Sequence, residues 1–187
     1  MIPAEFGATR WGRAWVRTIE STTVAAPNPL LPKARSLARN HAVTLAANTS
    51  RLDAEVTASG AVHRVQIDLP RWPDQTQAEA ELLIAKALSD NRGLAVGDLP
   101  DMLEADLKHH GISIAVELDQ QLAACDCRTG KRPCIHILAT IYTLAQLIDE
   151  RPALAIELRS SGSEVAVRSG PGWIELTEID AASFYGD

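Results

Sequence analysis

The chain has 187 residues, of which 46% are hydrophobic and 22% charged, with three cysteines and a net charge of −6. This length suits one ordinary domain or two small ones, and the composition excludes collagen, low-complexity disorder and a disulfide scaffold. We expect no membrane span, because no apolar run reaches the roughly 18 residues that a spanning helix needs. We also expect no secretory signal, and the odd number of cysteines favours a reducing, cytoplasmic location.

The charge is distributed unevenly along the chain. The net charge is +4 over residues 1–40, −7 over residues 73–120, +2 over residues 125–136 and −5 over residues 149–187. An overall charge of −6 argues against indiscriminate coating of nucleic acid. The uneven pattern suits either local nucleic-acid contact or a protein partner of matching charge.

The first predicted element is an amphipathic helix within residues 6–20. Trp11, Trp15 and Ile19 recur at helical spacing, which stacks them on one face. An adjacent polar face carries three arginines: Arg10, Arg13 and Arg17. We expect the two tryptophans to lie in the core, with an aromatic and basic nucleic-acid surface as the alternative.

Three short runs of alternating apolar and polar residues follow a proline-rich connector (residues 21–32) and one or two helical turns at residues 33–39. The runs contain Val43, Leu52 and Val65, and turn-forming residues separate them. This pattern predicts an antiparallel three-stranded β-meander.

The apolar period then becomes helical. Stripes within residues 80–88 and 102–107 predict a helical pair, and alternation over residues 112–118 predicts a strand. Residues 134–150 form the most apolar helical pattern in the chain, so we expect that helix to be buried on most sides. A shorter helical segment is predicted over residues 152–159.

The predicted elements divide the chain into three regions. Residues 1–118 form an N-terminal α+β region with a helix, the meander, the helical pair and a strand. Residues 119–159 contain the cysteine cluster and the helices that follow it, and residues 160–187 form a loop-rich tail. The predicted fold class is α+β: a small antiparallel meander with helices, plus the cysteine-containing segment followed by a buried helix.

All three cysteines lie within ten residues, in a C-x-C-x6-C-x-H pattern. The pattern consists of Cys125, Cys127, Cys134 and His136. Thiolates with one imidazole suit tetrahedral structural zinc, whereas this spacing suits an iron–sulfur cluster less well. Residues two apart diverge within a helix, so we expect the last two ligands at the mouth of the helix that follows Pro133. Three reduced, buried cysteines beside an unrelated histidine are the alternative.

This cluster, entered from a strand and followed at once by an apolar helix, resembles the SWIM zinc finger. That motif is known from Swi/Snf-type ATPases, MuDR-type transposases and recombination accessory proteins. The opening Phe6-Gly-Ala-Thr-Arg-Trp-Gly-Arg-Ala-Trp15 and the Leu-Pro-x-x-Arg motif at residues 31–35 resemble stand-alone bacterial SWIM proteins, which are often encoded beside a Swi/Snf-type helicase. The resemblance implies zinc binding by the four-residue cluster and a finger used for DNA binding or protein contact. Members often have a basic residue where this chain has Ile135, which weakens phosphate binding by the finger itself.

The expected function is that of a non-enzymatic, zinc-binding accessory or adaptor protein in a DNA-processing assembly. It would position a helicase or nuclease partner and take no small-molecule substrate. The alternative is direct DNA binding through basic residues of the finger loop and the N-terminal helix. Those residues are Arg128, Lys131, Arg132, Arg10, Arg13 and Arg17.

A third class, a metal-dependent nuclease, rests on a formal PD…D-x-K match at Asp74, Asp106 and Lys108. That chemistry needs the second aspartate and the lysine on a strand, whereas here they fall in a helical pattern. The sequence contains neither a Walker-type phosphate loop nor a G-x-S-x-G nucleophile elbow. We therefore expect no enzymatic activity.

Overall fold

The computed structural model describes residues 6–20, 28–130 and 132–161. In chain order the elements are α1 (Arg10–Ile19), α2 (Leu31–Arg39), β1 (Val43–Asn48), β2 (Arg51–Ala58), β3 (Ala61–Asp68), α3 (Asp74–Asp90), α4 (Asp101–His109), a 3₁₀ turn (Leu118–Gln120), β4 (Leu122–Cys125), α5 (Ile135–Glu150) and α6 (Ala153–Glu157). The fold is α+β, as predicted. From residue 162 onward the predicted tail lies outside the described residues, as do residues 21–27 of the predicted connector.

The four strands form one antiparallel sheet in the order β1-β2-β3-β4. The first three strands are the predicted meander, because each pair is joined by a short turn. The fourth strand pairs with β3 in a register that sets Cys125 opposite Val65. The cysteine cluster therefore begins at the last residue of β4, within the sheet.

The strand predicted over residues 112–118 is wrong. The alternating side chains of Ile112, Ile114 and Val116 are buried, but among the described residues no strand pairs with this segment. Its carbonyl groups accept hydrogen bonds from side chains instead: Trp72 Nε1 donates to Ser113 O at 2.9 Å, and Gln121 Nε2 donates to Val116 O. Alternation reported one-sided burial correctly, while the strand itself begins at Leu122.

Helix α5 is the centre of the core, with ten of its sixteen residues buried. Helices α1 and α2 pack against it, and so does the sheet. Trp11 and Trp15 are fully buried, which confirms their assignment to the core. The predicted buried helix over residues 134–150 is confirmed by the same packing.

A carboxylate on α5 holds the beginning of α1. Asp149 accepts hydrogen bonds from the backbone amides of Gly7 and Thr9 at 2.8 Å, and from the Thr9 hydroxyl at 2.7 Å. Gly12 leaves no room for a Cβ atom, because that atom would meet the Asp149 carboxylate and the Ala145 carbonyl. The Gly-Ala-Thr-Arg-Trp-Gly motif is therefore a docking site for this carboxylate.

A second polar cluster joins α1, α2 and α5. The Glu20 carboxylate accepts hydrogen bonds from Arg35 and from the Tyr142 hydroxyl, and the guanidinium lies 5.3 Å from the Tyr142 ring centroid. Burial raises the pKa of Tyr142, with the Glu20 carboxylate as a further cause. The arginine of the Leu-Pro-x-x-Arg motif therefore fixes helix packing.

The α3–α4 pair is less integrated into the core than the other helices. Of the seventeen residues of α3, only Ala80 and Ile84 are buried. Helix α4 buries Leu103 and Leu107. None of the helices in the described ranges combines the length and apolar character that crossing a bilayer requires.

Candidate metal centre

Three thiol sulfurs and one imidazole nitrogen converge where β4 meets α5. The ligand atoms of Cys125, Cys127, Cys134 and His136 all lie within 4.8 Å of one another. Cys125 Sγ lies 3.6 Å and Cys134 Sγ 3.9 Å from His136 Nδ1. Tetrahedral zinc, with Zn–S near 2.3 Å and Zn–N near 2.0 Å, needs ligand separations of roughly 3.5–3.8 Å. The arrangement fits zinc.

The ligands come from two elements that the fold brings together. Cys125 ends β4, and the next amide continues the ladder, since Asp126 N donates to Arg64 O at 3.2 Å. Cys134 is the N-cap of α5 in an extended conformation, and His136 lies in the first turn. The last two ligands therefore converge at the mouth of the helix, as predicted, because the first of them is not yet helical.

The pKa values of the thiols also indicate that the cluster needs a bound cation to ionise fully. Burial raises the pKa of the Cys125 thiol to about 12. Burial also disfavours the Cys127 thiolate, but hydrogen bonds from the Thr129 hydroxyl and backbone outweigh this and lower its pKa to about 5. Neighbouring thiols thus resist ionising together, whereas a zinc ion binds them as thiolates.

Arg132 stabilises negative charge in the finger. Its guanidinium donates to Cys127 Sγ at 3.8 Å and to the Cys125 carbonyl at 3.1 Å. Neighbouring Arg128 is exposed on the loop between the second and third ligands, and Lys131 lies outside the described residues. Arg132 therefore offsets, by direct contact, the negative charge that a Cys3His zinc site carries.

The arginines of α1 differ in their surroundings. Arg10, Arg13 and Arg17 are all exposed. Arg13 donates to the carbonyls of Gly7 and Ala8 at 3.2 and 3.3 Å, so it braces the loop that receives Asp149. DNA or partner contact by the α1 and finger-loop arginines stays a prediction.

Sequence analysis missed one residue of the metal centre. The ring of His63, on β3, stacks on the ring of His136 with centroids 4.1 Å apart, and its Nδ1 donates to Asp126 at 3.2 Å. His63 therefore covers the zinc-ligand ring from the sheet side. In the sequence, His63 is marked only by its position two residues before Val65. That position indicates proximity to the cysteine cluster once the β3–β4 register, which pairs Val65 with Cys125, is known.

The residues of the nuclease-like match lie on helices. Asp74 is the first residue of α3, and Asp106 and Lys108 lie on α4. The strand that this chemistry requires is therefore not where the pattern falls, in agreement with the helical pattern of the sequence.

Comparison with known proteins supports the geometry of the metal centre. The family model described as SWIM zinc finger matches residues 115–145, which contain β4, the four ligands and the first part of α5. A curated protein from Mycobacterium tuberculosis, "Uncharacterized protein Rv2102", is 26% identical over 159 residues. The match covers 83% of this chain but 56% of that relative, so this chain spans little more than half the relative's length. No solved structure matches. Residues 115–145 thus form a SWIM zinc finger, in which Cys125, Cys127, Cys134 and His136 are positioned to bind Zn²⁺.

Proposed function

We propose that this chain is a non-enzymatic accessory or adaptor protein of a cytoplasmic DNA-processing assembly, in which it positions a helicase or nuclease partner. The observation that carries this proposal is the closed ligand set. Three cysteines and one histidine supply all four ligands that tetrahedral zinc needs, whereas catalytic zinc keeps one position open for water or substrate. Zinc here acts as a structural link between β4 and α5.

The partner class follows from the SWIM resemblance. Stand-alone bacterial proteins of this type are often encoded beside a Swi/Snf-type helicase, so such a helicase is the first partner to test. The net charge of −6 supports protein contact over general nucleic-acid coating. A rigid finger on a packed core suits an adaptor, because a pre-ordered surface loses little entropy on binding.

Direct DNA binding is the second candidate function. It is favoured by the exposure of Arg128 on the finger loop and of Arg10 and Arg17 on α1. Arg13 and Arg132, in contrast, already donate to protein acceptors, so the number of arginines available to phosphate is smaller than the sequence suggested.

One experiment separates the two functions. Zinc content and DNA binding are measured on the same purified protein across a salt series, together with binding to a purified Swi/Snf-type helicase. An adaptor holds one zinc per chain, binds the helicase and shows little salt-sensitive DNA binding alone. Tight binding that weakens steeply with salt, and that is lost in Arg128→Ala, supports direct DNA binding instead. Replacing Arg51, an exposed arginine on β2, by Ala is the matched control.

A further inference from the structure

Six large apolar side chains are exposed in the described part of the chain, and four of them belong to α3, α4 and the loop that joins these helices. Leu82 is 73% exposed on α3, and Met102 is 64% exposed on α4. Exposed apolar side chains that cluster on one part of a fold mark interaction sites.

A groove of about 280 Å³ runs between the two helices. Its apolar lining includes Leu83, Ala87 and Met102, and Asp90 and Asp106 add carboxylates. Leu82 lies one helical turn before Lys86, a further lining residue, and therefore extends the same side of α3. The groove thus combines apolar contact area with two carboxylates, one lysine and one histidine.

The surroundings of the groove are strongly acidic. Residues 74–110, which contain α3, α4 and the loop between them, have eight acidic and three basic side chains. Residues 162–187, which lie outside the described ranges, contain five acidic side chains and one arginine, so charge repulsion disfavours them as the occupant. Charge complementarity selects a basic partner instead.

The walls of the groove also select the form of that partner. Both walls are helices, whose backbone groups are already hydrogen-bonded within the helix, so an added strand finds no ladder to join. An amphipathic helix binds such a groove by inserting apolar side chains while its flanking lysines or arginines meet the acidic rim.

We propose that the α3–α4 groove binds a basic amphipathic helix of a partner protein. This inference rests on the proposed adaptor function and names the chemistry of the partner. The groove is built from elements that contribute no zinc ligand, so the proposed partner surface is separate from the metal centre.

The test uses the zinc-loaded full chain and two 18-residue helical peptides with the same leucine pattern. One peptide carries lysine at the polar positions and the other carries glutamate. We expect the lysine peptide to bind, and we expect Met102→Ser and Asp106→Lys each to weaken binding about ten-fold. Val62→Ser and Asp119→Lys change other exposed side chains, outside the groove, and they should change affinity less than about two-fold.

Several outcomes would overturn the proposal. Equal losses for Asp106→Lys and Asp119→Lys show general charge attraction, and unaltered binding by Met102→Ser shows that the groove is not used. Self-association that the same two groove variants abolish, measured by light scattering, identifies a second copy of this chain as the occupant.

Failure of the groove and failure of the adaptor function are distinguishable with a purified Swi/Snf-type helicase. If the helicase binds the Asp106→Lys and Met102→Ser variants as tightly as the unaltered chain, the groove is not the binding site of the partner. The proposed adaptor function is then unaffected. A helicase that does not bind the unaltered chain contradicts the adaptor function, and the peptide experiment then decides the groove alone.

Discussion

The zinc centre with α5 and the α3–α4 pair differ in how much of their surface is buried within the chain. In α5, ten of sixteen residues are buried. The metal ligands, the Asp149 carboxylate and the Glu20 cluster each connect α5 to another part of the fold. In α3, two of seventeen residues are buried, and the side chain of Leu82 is 73% exposed. The first region makes most of its contacts within the chain, whereas the second exposes apolar surface that is available to a partner.

The largest effect is expected from removing a zinc ligand. Cys134→Ser should abolish stoichiometric zinc, because structural zinc binding contributes roughly 10–16 kcal/mol and three remaining ligands cannot replace it. Hydrogen exchange should show loss of protection in β4 and the start of α5, while β1–β3 stay folded. The control is Ala124→Ser, which changes an exposed side chain on β4. Zinc retained at one per chain in Cys134→Ser would contradict the ligand assignment.

A smaller but substantial effect is expected from Asp149→Ala. This change leaves three backbone amides and one hydroxyl without their acceptor, which should lower the free energy of unfolding by about 3 kcal/mol. Urea denaturation measures the loss. Glu150→Ala, the exposed neighbour on the same helix, should stay within about 0.5 kcal/mol. Equal stability of the two variants would show that the carboxylate does not hold α1.

Zinc affinity should fall about ten-fold in His63→Ala, because groups that orient a metal ligand contribute at that level. His63→Phe keeps a stacking ring but loses the hydrogen bond to Asp126, so its affinity should lie between those of the unaltered chain and the alanine variant. Competition with a chromogenic chelator gives the values. Arg64→Ala changes the exposed neighbouring side chain and serves as the control. Identical affinities for all four proteins would remove His63 from the metal centre.

The smallest effect is expected on α3. Leu82→Ser should change the free energy of unfolding by less than about 0.5 kcal/mol, because the side chain is 73% exposed. Ile84→Ala, two residues away and buried, should cost about 2–3 kcal/mol. Thermal unfolding of both variants makes the comparison. A large loss of stability in Leu82→Ser would mean that the face of α3 that carries Leu82 packs against another part of the chain.

Much of the fold was predictable where the signal is local. The meander follows from short alternating runs joined by turns, and the tryptophan pair follows from helical spacing. The strand placed over residues 112–118 was wrong because alternation reports which side is buried and not which strand supplies the hydrogen bonds. Contacts across long stretches of chain, such as Gly7 with Asp149, leave no periodic trace in the sequence.

The sequence by itself determined the zinc ligands, since all four lie within twelve residues and thiolate and imidazole chemistry selects the metal. The tertiary structure alone decided that β4 joins the meander, that His63 covers the ligand histidine, and that the opening motif receives a carboxylate from α5. It also decided that α3 and α4 leave a groove with an acidic rim. Ligand spacing is a property of neighbouring residues, whereas burial and pairing depend on which distant surfaces meet when the chain packs.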